Sequence, residues 1–184
     1  MTATQNRPDV DEPRVWIGCL QCYNEGRLVG DWYSCTEAAE ITTSQLHGRP
    51  IPEHSHEELW CLDTDNIPVD GEMSPQEAGE WGEVYTEVGP EQWPAICAWV
   101  RSGSYTAQGD SDRPVVSDFE QAFAGVWPSF TAYVEDLVEE CGLLDGVPDE
   151  LRDYFDVGRY ARDLAGDYSV ERAPAGEVYV FRSF

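Results

Sequence analysis

Cys19 and Cys22 stand three positions apart, and His54, His56 and Cys61 follow downstream, so the chain carries the thiol and imidazole donors that tetrahedral zinc prefers. A structural zinc site usually adds a second tight pair, and here that pair would be His54 and His56, only two positions apart. Read as one extended segment, Cys19 and Cys22 point to opposite faces. Spacing alone therefore reads them as buried or incidental thiols, with no metal and no cofactor. Cys35, Cys97 and Cys141 read as small core residues. A small zinc-dependent hydrolase or zinc-binding protein built on Cys19, Cys22, His54 and His56 is the alternative from a different functional class.

Other chemistry is sparse. The chain has no lysine, which removes the phosphate-loop lysine and the Schiff-base lysine together. There is no Gly-x-Ser-x-Gly elbow, and His56-Glu57-Glu58-Leu59-Trp60 lacks the second histidine of a zincin helix. Asp63-Thr64-Asp65-Asn66 begins like a calcium loop, but Ile67 and Pro68 fall where a ligand and the turn glycine belong. Among 36 acidic residues some carboxylate pair is inevitable, so pairs carry no signal for hydrolysis. The expectation is a protein without catalytic residues.

What the sequence offers instead is anionic charge. Against 36 Asp and Glu stand 11 basic residues, all Arg, for a net charge of -25. Duplex DNA carries one charge per ~1.7 Å of axis, so this total matches about 42 Å of duplex. Such a chain repels DNA and attracts what DNA attracts, and the arginines form no basic patch for nucleic acid. Glu77, Glu80, Glu83 and Glu87 fall within about a 120° arc of a helix, and Glu91 extends the row past a turn. Glu135 with Glu139, and Asp136 with Glu140, are like-charged i, i+4 pairs near a helix C-terminus, where both neighbours and macrodipole disfavour them. No cation interrupts the run from Asp63 to Val100. Ordinary solvated faces mix signs. These nine acids are the candidate phosphate-mimicking surface, and salt adaptation of an ordinary domain is the bland alternative.

The elements that must carry these residues follow from patterning. Hydrophobic residues at 41%, with 7 Trp and 9 Tyr, exceed what a disordered acidic tail contains. Residues 1–12 read as a flexible tail. Arg14–Leu20 and Leu28–Tyr33 read as a hairpin, Glu37–Leu46 as a helix capped by Thr36 and stopped by Gly48, and the stretch around Leu59–Leu62 as a third strand. Ser74-Pro75-Gln76-Glu77 is a capping box with proline at the first helical position. That helix ends at Gly89-Pro90, and a second runs from about Glu91 to Val100. A second capping box, Ser117 to Glu120, starts a helix reaching about Gly125, and Phe130–Cys141 is a helix closed by Gly142. Short helices follow from Pro148 and Val157, then a closing hairpin, Tyr168–Glu171 with Val178–Phe181. No stretch is long and apolar enough to span a bilayer, and Met1–Pro13 lacks a signal-peptide core, so a cytoplasmic, non-membrane protein is expected. The fold class is α+β.

The ordered set Pro13-Arg14-Val15-Trp16-Ile17-Gly18, Tyr23-Asn24, Gly26, Gly30-Asp31-Trp32, then Val147-Pro148, Tyr154-Phe155-Asp156, Tyr160-Ala161-Arg162-Asp163-Leu164, Gly166-Asp167-Tyr168 and Tyr179-Val180-Phe181 resembles the ArdA family of antirestriction proteins. The resemblance implies an elongated protein of three small domains: 13–70 (α+β), 71–104 (helical) and 105–184 (α+β, with the contact of a homodimer). It further implies a mimic of B-form DNA that occupies the DNA groove of type I restriction-modification enzymes, on the methyltransferase core. Mimicry directed at another DNA-binding protein is the nearest rival.

Overall fold

A computed structural model describes residues 12–52, 55–109 and 111–183. The tail expected over residues 1–12 lies outside them except for Glu12, which accepts a hydrogen bond from the Ser34 hydroxyl. The chain is mixed α and β and divides into two compact units. One ends at Pro94 and includes Ala107–Arg113; the other comprises Ala95–Thr106 and the chain from Pro114 onward.

The first unit is built on an antiparallel sheet in the order β2-β1-β3: β1 (Arg14–Cys19), β2 (Gly30–Ser34) and β3 (Leu59–Asp65). Alternation in β1 sends Val15 and Ile17 into the core at 0% exposure, while Trp16 and Gly18 take the other face. Gly18 pairs across the strands with Gly30, and the Trp16 ring lies over both. A Cβ at Gly18 or Gly30 would come within 2.5 and 2.4 Å of that ring, which is why this corner of the sheet needs two glycines. Asp63 and Asp65 belong to β3 and not to an ion-binding loop, and Asp65 pairs with Arg14.

A short helix, α1 (Leu20–Asn24), follows β1 directly, so the extended segment ends at Cys19 and Cys22 is helical. The single helix expected over 37–46 is instead two: α2 (Cys35–Ala38), capped by Ser34, and α3 (Thr43–His47). Thr42 explains the break. It forms a complete capping box with Gln45, satisfying two backbone donors that an uninterrupted helix would have bonded differently. Gly48 ends α3 in the left-handed conformation, as its sequence position predicts.

Helix α4 (Pro75–Ser102) carries the non-helical residue Gly89, φ 77°, so segments 75–88 and 90–102 meet at the break that Gly89-Pro90 predicts. Its N-terminus is the expected capping box: the Ser74 N–H donates to Glu77 Oε2 at 2.7 Å and the Glu77 N–H to Ser74 Oγ at 3.2 Å. Trp93 is fully buried, packs edge-on against Trp81 and Tyr85, and donates its indole N–H to the Asn66 carbonyl at 3.1 Å. Gly79 and Gly82 let α4 approach α2: a Cβ at Gly82 would lie 2.4 Å from the Cys35 carbonyl oxygen. The second segment of α4 begins in the first unit and ends in the second.

The second unit has its own antiparallel sheet, order β4-β6-β5, from β4 (Phe123–Trp127), β5 (Tyr168–Arg172) and β6 (Val178–Arg182). The central strand β6 is buried on both faces. Val180 joins Tyr133, Val134 and Val138 of α6 (Phe130–Glu140) and Ala161 of α8 (Val157–Leu164). Phe181 joins Trp99, Phe119 and Phe123 on the opposite face. Two expectations fail here. The helix α5 (Val116–Ala122) starts before Ser117, with Val115 as an uncapped N-cap, so the Ser117–Glu120 box does not form. The helix also stops at Ala122, because residues 123–127 pair with β6, and ladder bonds and packing there outweigh local helix preference. The α6 helix, the short α7 (Asp149–Arg152), α8 and the closing hairpin stand where patterning places them.

Candidate functional site

Glu77, Glu80, Glu83 and Glu87 all lie on segment 75–88, and Glu91 opens the segment after the break. All are exposed except half-buried Glu80. Two of them do more than face water. Glu77 is the acidic member of the capping box, and the Ser74 backbone N–H, then its hydroxyl, hold the Glu77 carboxyl below the ordinary range. Glu83 accepts from Arg113 at 2.8 Å, a cation delivered from thirty residues away into the run that is cation-free in sequence. A groove of about 570 Å³ runs beside the row, lined by Glu80, Glu83 and Glu87 together with Glu40. Asp70 and Glu72 border a smaller concavity with Glu77 and Glu80. Sequence reasoning missed Glu40, Asp70 and Glu72, since only tertiary packing brings them to α4.

In the second unit Glu135, Asp136, Glu139 and Glu140 occupy the last turns of α6, opposite the buried stripe Tyr133, Val134 and Val138. Glu135, Glu139 and Glu140 are exposed, Asp136 is half-buried, and no basic residue lies in the last turn to complement the macrodipole. Among the described residues no charged side chain is buried anywhere. The carboxylates form the outside of both units.

The Glu77 box has a measurable consequence. Its carboxyl titrates lower in the folded chain than in the unfolded one, so the stabilisation is complete above the unfolded value near 4.3 and disappears as pH falls through the folded value. Ser74→Ala should cost ~1 kcal/mol at neutral pH. In thermal melts from pH 7 downward, Glu77→Gln should lower the melting temperature at pH 7, and the difference from the parent should shrink as the pH falls below the unfolded value.

The cysteines divide into two kinds. Burial pushes the Cys61 and Cys97 thiols up to about 12 and raises Cys35 further, which suits inert core thiols. Cys141 is exposed, contrary to expectation, because it caps the end of α6 and does not enter its buried face. Cys19 and Cys22 are buried but not isolated: their sulfurs lie 3.2 and 3.4 Å from His56 Nδ1. The expected opposition of the two thiols is corrected by the strand-to-helix change at Leu20, which turns Cys22 back toward Cys19. His54, the partner that spacing suggested, falls outside the described residues. The fourth member is His47, whose ring centroid lies 4.8 Å from that of His56.

Two small antiparallel sheets dressed with short helices, an anionic exterior and a lysine-free sequence define an acidic α+β protein. A model of the family "Antirestriction protein (ArdA)" matches residues 15–179, and the chain belongs to that family. Its role is accordingly antirestriction, and the family is one of inhibitors, not of known enzymes. No curated protein matches the chain significantly. Among the described residues no helix is long and apolar enough to cross a membrane.

Proposed function

We propose that this protein inhibits type I restriction-modification enzymes by occupying their DNA groove on the methyltransferase core, with surface carboxylates standing in for phosphates. The observation that carries the reading is the distribution of charge: a net charge of -25, no lysine, and no charged residue buried among those described. Lys and Arg that line a DNA groove meet Glu80, Glu87, Glu91, Glu135, Asp136, Glu139 and Glu140 as anions at the surface. Long-range attraction speeds encounter, and the contacts are sequence-independent. Rows of like charge reduce helix stability by a few tenths of a kcal/mol per pair, a cost that binding to a cationic groove offsets. The division into three domains, the cytoplasmic setting and a homodimer formed through the C-terminal region belong to the same proposal.

Competition between this protein and a DNA duplex for a purified type I methyltransferase tests it. Raising salt from about 50 to about 200 mM should weaken both ligands, the protein by roughly 10- to 1,000-fold, because both depend on screened charge. Inhibition without displacement of DNA, or displacement indifferent to salt, would defeat the proposal. The same titration run against unrelated DNA-binding enzymes distinguishes mimicry directed elsewhere.

A further inference from the structure

The Cys/His cluster is unrelated to the acidic surface and asks for its own explanation. One ligand atom from each of Cys19, Cys22, His47 and His56 lies within 4.8 Å of all the others. For zinc bonded to sulfur at ~2.3 Å and nitrogen at ~2.0–2.1 Å, the edges of the coordination tetrahedron are about 3.3–3.8 Å. The sulfur-to-nitrogen distances of 3.2 and 3.4 Å to His56 Nδ1 are close to that range. We propose that Cys19, Cys22, His47 and His56 form a structural zinc site that ties together the first unit.

Four separate elements deliver the donors. Cys19 ends β1, Cys22 lies in α1, His47 is the last residue of α3, and His56 sits in the connection to β3. Nothing in local structure requires their convergence. His56 adopts φ 56°, a left-handed conformation costly for a side chain with a Cβ, and its N–H is held by Gln21 Oε1 at 2.9 Å. Independently, His47 Nε2 is shielded from solvent and makes no hydrogen bond. A buried ring nitrogen without a partner is expensive, whereas a nitrogen bonded to a metal is satisfied.

The donor set selects the ion. Two thiolates and two neutral imidazoles balance the charge of a divalent cation and suit zinc over the oxygen-seeking magnesium and calcium. Four protein donors also fill a tetrahedron, leaving no position for water or substrate. The site is therefore structural and not hydrolytic. Its effect is to close the chain from β1 to β3, including the long connection after α3, across a unit whose sheet has only three strands. Binding free energy becomes folding free energy in such an arrangement.

The test uses the whole protein, purified under reducing conditions. Elemental analysis should find about one zinc per chain. After chelation and reloading with Co2+ alone, the spectrum should show the d–d bands of tetrahedral cobalt and thiolate-to-cobalt charge transfer. Zinc-loaded protein should melt roughly 10 °C or more above the stripped form. Cys22→Ser and His47→Gln should each lose the stoichiometric metal, and Cys141→Ser should keep it. If Cys22→Ser fails to fold, His47→Gln decides: at the same cobalt concentration it should show neither the tetrahedral bands nor the thiolate charge transfer of the parent. Reduced wild-type protein that takes up neither zinc nor cobalt, or a His47→Gln protein with an unaltered cobalt spectrum, would falsify the site.

Discussion

Replacing Glu80, Glu87, Glu91, Glu135, Asp136, Glu139 and Glu140 together by their amides should lower inhibition of a type I enzyme by about 100-fold, while any one replacement changes it by only about twofold. The magnitudes follow from the surface position of these groups, five exposed and two half-buried: a surface ion pair contributes roughly 0.4 kcal/mol, so seven contribute about 3 kcal/mol, or about two decades in affinity. The seven changes move the net charge from -25 to -18. Glu77 and Glu83 are left in place because the first completes a helix cap and the second holds Arg113, so their loss would confound binding with stability. Inhibition constants, measured beside thermal melts that confirm folding, read the effect. Under the proposed mimicry the loss falls mainly in the association rate, since charge acts before contact. A single amide that abolished inhibition in a folded protein would point to one specific anchor, and a sevenfold variant as potent as the parent would mean these acids do not meet the enzyme.

The second large effect is on stability. Phe181→Ala should destabilise the C-terminal unit by ~3–5 kcal/mol. Phe181 is 0% exposed on the central strand β6, and its ring packs against Trp99, Phe119, Phe123 and Tyr179 at centroid distances of 5.6–6.4 Å. Both faces of β6 are covered, so the gap left by the ring cannot be filled by solvent or by a neighbour moving in from an edge. For a unit of this size the corresponding fall in melting temperature exceeds about 12 °C. Calorimetry is the appropriate readout because the chain has two compact units and need not melt in one transition. A shift of only two or three degrees would show that this aromatic cluster is not a core. Phe181→Leu, which keeps most of the volume, should recover much of the loss.

Local signals predicted those elements whose ends are fixed by neighbours in sequence. Ser74 with Glu77, Gly48, Gly89-Pro90 and Gly142 act through bonds or dihedrals within four residues, and each ends or begins an element where expected. The failures have the opposite character. The Ser117 box loses to a helix that starts earlier, and residues 123–125 leave the helix because β6, more than fifty residues later, supplies ladder partners. The split between α2 and α3 was legible in principle, since Thr42 and Gln45 have capping-box spacing, but the longer apolar periodicity obscured it.

The acidic row was legible because helical periodicity converts spacing into a shared face without tertiary information. The neighbours of that row were not: Glu40 comes from the turn after α2, and Arg113 returns from a loop to neutralise Glu83. The Cys/His cluster shows the same limit more sharply. Cys-x2-Cys spacing raised zinc, but assigning Cys22 to a strand set the two sulfurs apart, and His47 lay outside any recognisable ligand spacing.

The amino-acid sequence by itself determined the anionic character, the absence of lysine chemistry, the caps, and the family to which the chain belongs, because composition and short-range hydrogen bonding need no knowledge of distant residues. Only the tertiary structure decided that β4 is a strand, that Glu83 has a cation, and that Cys19, Cys22, His47 and His56 meet. Each of those facts depends on chain segments far apart in sequence, whose encounter is set by sheet pairing and core packing and not by any local preference.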